Sequence, residues 1–102
     1  MYVLVRIFVG ESEELEGQPL YYKLAESLRE KGVRGATLLR AVLGYGTMGE
    51  FHYEGVEALS YDLPVVIEFV EEENKAEAVI EELEDMLRGR LVSLERVNLC
   101  RL

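Results

Sequence analysis

The chain has little of the chemistry that enzymes and metal centres commonly use. Its 102 residues include one cysteine (Cys100), one histidine (His52) and no tryptophan. A single cysteine excludes an internal disulfide, and the spacing shows no arrangement of cysteine, histidine and acid. We therefore predict no catalytic residues and no resident metal. Cys100 is interpreted as a partly buried structural thiol at the end of the last strand.

Long apolar runs are also missing. None approaches the roughly 20 residues of a membrane-spanning helix, which predicts a protein that does not insert into membranes. Arg6 lies inside the first apolar stretch and not ahead of it, unlike the charge of a signal peptide, so we expect a cytoplasmic protein. Glutamine and asparagine are scarce beside glutamate, which is typical of a thermophile.

The composition is that of a folded chain with an acidic balance. Hydrophobic residues make up 49% of the sequence, which predicts a single globular domain over residues 1–102. Acids outnumber bases by 20 to 11, and the net charge of −9 argues against a nucleic-acid partner. The acids concentrate in residues 71–85, which predicts a solvated helix face. Residues 88–101 hold four arginines, whose forked groups suit phosphate and carboxylate oxygens.

Hydrophobic periodicity predicts the element order βαββαβ. Strands are expected over residues 2–9, 36–43, 63–70 and 91–99. The first helix has Pro19 in its first turn and ends at Gly32, and the second begins at an Asn74 cap, with Glu77 completing a capping box, and ends at Gly89. This order predicts an α+β, ferredoxin-like sandwich, with a four-stranded antiparallel sheet and two helices on one face.

The other face of the predicted sheet is too apolar for water, yet each of three strands carries one central charge: Arg6, Arg40 and Glu68. Buried charges must be paired, so apolar rows around ion pairs are typical of a subunit interface. We predict a symmetric homo-oligomer in which Arg6 or Arg40 pairs with Glu68. The alternative is a face that binds another protein. The predicted face consists of Tyr2, Leu4, Arg6, Phe8, Leu38, Arg40, Val42, Val66, Glu68 and Val70.

The stretch GVRGATLLRAVLGYG at residues 32–46 places an apolar strand between glycine-rich turns. Gly44 and Gly46 would let a ligand or another chain approach the backbone, and they equally fit a tight bend. Together with Gly17, Leu20, Tyr21 and LSYDLPVVIEFVEEE at 59–73, this stretch resembles the PII-like family catalogued as domain of unknown function 190. The resemblance covers nearly the whole chain and implies a ferredoxin-like trimer related to the PII nitrogen-signalling proteins.

The resemblance also implies a ligand site. In PII proteins an adenine nucleotide lies between adjacent subunits, so ATP, ADP or AMP is the implied ligand. By position, the matching residues are Arg34 and Gly35 before the second strand, Gly44, Tyr45 and Gly46 after it, and Arg88, Gly89 and Arg90 before the last strand. After Gly89 the chain lacks the further glycines and lysine with which PII proteins close on the phosphates. The implied protein partner is a transporter or an enzyme.

A second hypothesis rests on residues 47–61. His52 stands among Glu50, Glu54 and Glu57, so a divalent-metal-handling or enzymatic trimer of the same fold is the alternative to a nucleotide-binding regulator. One histidine without cysteine is a poor transition-metal set. An acylphosphatase-like enzyme is also disfavoured, because the loop at residues 10–17 is acidic where that enzyme needs an arginine.

Overall fold

The protein, described by a computed structural model over residues 1–42 and 63–102, contains the predicted antiparallel sheet with helices on one face. The elements are β1 (Tyr2–Gly10), β2 (Glu14–Leu15), β3 (Gln18–Pro19), α1 (Leu20–Glu30), β4 (Thr37–Arg40), β5 (Pro64–Glu72), α2 (Glu73–Glu82), α3 (Glu84–Leu87) and β6 (Leu91–Val97). The strand order in the sheet is β4-β5-β1-β6, which confirms the ferredoxin-like sandwich.

The core lies between the sheet and the helices. Alternate residues of β1 point to it, and Val5, Ile7 and Val9 are fully buried. Helix α1 contributes a stripe at intervals of four residues, as its periodicity predicts. The largest buried side chains besides those of β1 are Leu24, Leu28 and Ile67. No helix among the described residues covers the opposite surface of the sheet, here called the open face.

A short hairpin, β2–β3, occupies the connection that the sequence predicts as irregular. Its two central residues, Glu16 and Gly17, have φ angles of 54° and 81°. Positive φ at both positions matches the right-handed twist of paired strands, and glycine adopts it without strain. The hairpin leads directly into α1, whose N-cap residue is Pro19.

The start of α2 differs from the prediction. Asn74 is not the cap: Glu72, the last residue of β5, occupies that position, and its carboxylate accepts a hydrogen bond from the Asn74 amide at 3.0 Å. The strand therefore passes into the helix without a linker, and the capping box predicted from Asn74 and Glu77 was wrong. The helix is also interrupted at Leu83, which separates α2 from α3.

The ends of two strands were also placed wrongly. β4 stops at Arg40 and β6 at Val97, both earlier than predicted. Cys100 therefore lies beyond the last strand and is exposed, which corrects the prediction of a partly buried thiol. Within residues 1–42 and 63–102, no helix has both the length and the apolar character to cross a membrane.

Candidate functional site

A cleft with a volume of about 460 Å³ opens beside the loop that connects α1 to β4. Two arginines line it, Arg34 from that loop and Arg101 from the segment after β6. Neither guanidinium takes part in an ion pair formed within the described residues, although the chain has a large excess of acids. The remaining lining residues are Leu4, Gly35, Ala36, Thr37, Glu68, Phe69 and Val70.

The loop beside this cleft is fixed by a buried carboxylate. The Glu71 side chain is 4% exposed, and its Oε2 atom accepts a hydrogen bond from the Arg34 backbone amide at 3.4 Å. Lys75 reaches the same Oε2 at 3.4 Å and donates to the Gly32 carbonyl at 2.7 Å. The backbone of the loop is thus held by Glu71 and Lys75, while the Arg34 side chain remains available.

The predicted ligand residues within the described part of the chain form two groups, here called arms: Arg34 with Gly35, and Arg88 to Arg90. The second arm lies in the turn between α3 and β6 and has different surroundings. Arg90 forms a close ion pair with Glu13, whose side chain is 6% exposed, and also donates to the Arg88 carbonyl at 2.7 Å. The other carboxylate oxygen of Glu13 accepts from the Gly10 amide at 2.7 Å. Gly89 has a φ of 80°, a conformation that favours glycine in this tight turn. Arg90 therefore stabilises the fold, whereas Arg88 is paired with Asp85 on the surface and is largely exposed.

The two arms lie at opposite ends of β1. Glu71, which holds the Arg34 loop, is paired with Val3, whereas Glu13 binds the backbone of Gly10. Gly10 lies seven positions after Val3 on β1, a distance of roughly 23 Å at the usual rise per residue. One chain cannot bring Arg34 and Arg90 to the same small ligand.

The open face carries a paired charge at its centre. Arg6 donates to Glu68 on β5 and to Glu95 on β6, each at 2.9 Å. Hydrogen bonds to Glu68 and then Glu95 raise the pKa of Arg6 above its ordinary value. Since the shift is upward, the associated stabilisation is complete below the ordinary pKa of arginine and is lost only above it, far from neutral pH. Phe8 lies two residues beyond Arg6 on β1, opposite Val66, and is therefore on the same face.

The prediction for β4 was wrong about its faces. Leu38 and Arg40 are paired with Ile67 and Val65, both core-facing residues, so they lie on the side covered by helices. Arg40 contacts Glu11 at 2.5 Å and not Glu68. The alternation was assigned out of phase, because an isolated apolar run such as ATLLRAVL fits either register. Leu39, opposite Val66, and Thr37, opposite Glu68, are the β4 residues on the open face.

Several predicted site residues lie outside the described residues. These are Gly44, Tyr45 and Gly46 of the implied ligand site, and His52, Glu50, Glu54 and Glu57 of the metal hypothesis. In the part of the chain that is described, no group of three or more histidine, cysteine or acidic side chains is arranged to hold a metal ion.

Two residues of consequence were not singled out from the sequence. Arg101 belongs to the arginine-rich segment, which was the available signal, but its position beside Arg34 depends on the path of the chain after β6. Glu13 lies in the acidic stretch after β1, and nothing in the local pattern distinguishes this buried acid from its exposed neighbours. Only the tertiary contact with Arg90 does so.

Comparison with known proteins agrees with this architecture. Residues 2–99 match the model of the family known as domain of unknown function 190, described as "Uncharacterized ACR". Two proteins of Aquifex aeolicus, each called UPF0166 protein, are 41% and 38% identical to this chain over 93% and 94% of its length, and the matches cover 90% and 94% of theirs.

Two solved structures show the same fold. A protein of Thermus thermophilus described as a putative PII-like signaling protein superposes with a TM-score of 0.59 at 22% identity, covering 92% of this chain and 84% of its own. CPII of Thiomonas intermedia, solved bound to ADP and bicarbonate, gives a TM-score of 0.60 at 21% identity, covering 92% and 83%. The family match over nearly all residues and the similar relatives lead to one assignment: the chain belongs to the family of domain of unknown function 190.

Proposed function

We propose that the protein is a PII-like regulator that binds a small anionic ligand, an adenine nucleotide such as ATP, ADP or AMP, in a cleft shared by adjacent protomers of a trimer. The observation that carries the proposal is the pair Arg34 and Arg101. Two guanidinium groups without an acidic partner among the described residues line one cleft of a chain whose net charge is −9. Such groups bind phosphate oxygens through charge-assisted, often bidentate hydrogen bonds.

The geometry of the cleft is compatible with a phosphate chain. Gly35 stands between Arg34 and Ala36 in the lining, and no atom lies within 4 Å of the place where a side chain would begin. A ligand can therefore come close to the backbone at this point. The loop does not have to be ordered on binding, because Glu71 and Lys75 already hold it. A preformed loop reduces the entropic cost of binding.

The separation of the two arms supports the proposal of a cleft shared by two protomers. If Arg88 contributes to the same ligand as Arg34 and Arg101, it must come from a neighbouring copy. The open face offers the surface for such an assembly, since it presents Phe8, Leu39 and Val66 around the Arg6–Glu68 pair. CPII of T. intermedia, with bound ADP and bicarbonate, supports testing these two anions first.

Signalling is proposed to involve residues 47–61, which lie outside the described residues. Ligand-dependent ordering of a segment is a common form of switch in regulatory proteins. The implied partner, a transporter or an enzyme, would read that state in the cytoplasm.

The proposal is tested by thermal and chemical unfolding with ATP, ADP, AMP and bicarbonate. A ligand at a hundred times its Kd adds about 2.7 kcal/mol to the free energy of unfolding. We expect ADP to stabilise the wild type. We expect the Kd of ADP to be at least tenfold higher for Arg34→Ala and for Arg101→Ala, which lowers the stabilisation at a given ADP concentration. Arg96→Ala is the matched control, because Arg96 is exposed on β6 and outside the cleft. No response to any nucleotide, or stabilisation by divalent metals that is lost in His52→Ala, would contradict it.

The assembly is tested separately by sedimentation equilibrium. The expected mass is three times that of one chain, and Phe8→Glu, which places a charge on the open face, is expected to lower it. A mass of one chain at micromolar concentration would remove the shared cleft.

A further inference from the structure

A groove runs between α1 and β4 on the helix-covered side of the sheet, and is here called the α1–β4 groove. Two adjoining cavities of about 290 and 210 Å³ form it, and Leu38 lines both. Its floor is apolar, and the Leu38 side of it remains open to solvent, since that residue is 37% exposed. The apolar lining residues are Tyr21, Ala25, Leu28, Val33, Ala36, Leu38 and Val65.

The charged residues that line the groove within residues 1–42 and 63–102 are all arginines: Arg29, Arg34 and Arg40. Arg40 is paired with Glu11 at 2.5 Å. Arg29 and Arg34 take no part in the ion pairs formed within residues 1–42 and 63–102. A basic rim on so acidic a chain gives the groove a local charge opposite to that of the molecule, which favours acidic partners and disfavours basic ones.

Among the described residues, the strand that borders the groove is an edge of the sheet. β4 stands first in the order β4-β5-β1-β6, and all four of its residues are exposed. An edge strand presents backbone groups that an incoming extended segment can pair with, and the alternate side chains of that segment then fill pockets on one face. β4, with its four residues, spans roughly 13 Å at the rise of an extended chain, enough to pair with about four residues of a partner.

We propose that the α1–β4 groove is a docking site for an extended segment of another protein in which every second side chain faces the groove, and these groove-facing side chains include both acidic and apolar residues. The apolar side chains would enter the groove beside Leu38, and the carboxylates would meet Arg29 and Arg34. This inference goes beyond the proposed ligand cleft. Arg34, Gly35 and Ala36 line both sites. Arg29 and Leu38 line the groove and not the cleft.

The test uses the protein and a fluorescein-labelled peptide of seven residues, with glutamate and valine alternating at the odd positions and serine at the even ones, so that all glutamates and valines share one face of the extended chain. Binding is followed by fluorescence polarisation. The control peptide has lysine in place of each glutamate. We expect saturable binding of the acidic peptide that weakens with added salt, and at least tenfold weaker binding of the basic one. Equal binding of the two peptides, or no binding of the acidic one, would overturn the proposal.

Two substitutions locate the binding. Arg29→Glu and Leu38→Glu each change an exposed residue, and both are expected to weaken binding of the acidic peptide at least tenfold. Arg96→Glu applies the same charge reversal away from the groove and should leave binding unchanged. Unaltered binding in Leu38→Glu, with thermal melting confirming the fold, would contradict the assignment. A change in the mass of the protein alone in Leu38→Glu would instead assign the groove to contacts between copies.

The outcome is separable from that of the ligand cleft. Arg101→Ala removes a group that lines the cleft and not the groove, so it should weaken the response to ADP while leaving peptide affinity unchanged. If ADP has no effect on the wild type while the peptide binds as expected, only the nucleotide proposal fails.

Discussion

The two ends of β1 use arginine in opposite ways. At the end near Gly10, Arg90 is tied to the buried carboxylate of Glu13 and serves the fold. At the end near Val3, Arg34 and Arg101 face a cleft without an acidic partner among the described residues, while Glu71 and Lys75 hold the backbone. An arginine-rich segment is therefore weak support for a binding site until the partners of each guanidinium are known.

The first prediction concerns the ion pair between Arg90 and Glu13, at the end of β1 near Gly10. Glu13→Ala leaves the Arg90 guanidinium and the buried Gly10 amide without their acceptor. We therefore expect a loss of about 3 kcal/mol in the free energy of unfolding. This value is at the low end for a broken buried pair, because Arg90 is partly exposed. Urea unfolding measures it. Arg101→Ala is the matched control and should change stability by less than about 0.5 kcal/mol. Equal losses in the two variants would abolish the contrast between the ends.

The second prediction concerns Lys75, which holds the Arg34 loop at the end of β1 near Val3. Lys75→Met removes the hydrogen bond to the Gly32 carbonyl and the contact with Glu71, and we expect a loss of about 1 kcal/mol, because the ammonium is partly exposed. Lys31→Met, which breaks an exposed pair with Glu82, serves as the comparison and should cost less. A larger loss in Lys31→Met would show that Lys75 does not hold the loop.

The third prediction, with the smallest expected change in stability, concerns the exposed ion pair between Arg88 and Asp85. Asp85→Ala breaks the pair with Arg88 at 3.2 Å, in which both side chains are largely exposed. Solvent screens such pairs, so the free energy of unfolding should change by less than about 0.5 kcal/mol. A loss above about 1 kcal/mol in urea unfolding would show that this exposed pair, and not only Glu13 with Arg90, secures the turn before β6.

Much of the fold could be predicted from the sequence because it is encoded in short-range periodicity. The alternation in β1 and the four-residue stripe in α1 each point to one buried face, and Gly32 and Gly89 follow the helices where glycine is expected. The phase of β4 was missed for the opposite reason. An exposed edge strand has apolar residues on both sides, so the choice of face depends on pairing with β5 and not on its own sequence.

The candidate site was predictable only in part. The resemblance to PII-like proteins pointed to Arg34 and Gly35, and the structure places both in the cleft. Arg90 was predicted as a ligand residue, but its tie to Glu13 depends on a contact between residues 77 positions apart, which local patterns do not reveal. Arg101 reaches the cleft through the same kind of long-range geometry.

The most direct test of the unpaired arginines is isothermal titration calorimetry of ADP with the wild type and with the double variant Arg34→Ala/Arg101→Ala. We expect saturable binding near one ADP per chain in the wild type and no measurable binding in the double variant, with both proteins melting at similar temperatures. Unchanged affinity in the double variant, or no binding by the wild type at millimolar ADP, would contradict the proposal that this cleft holds the ligand.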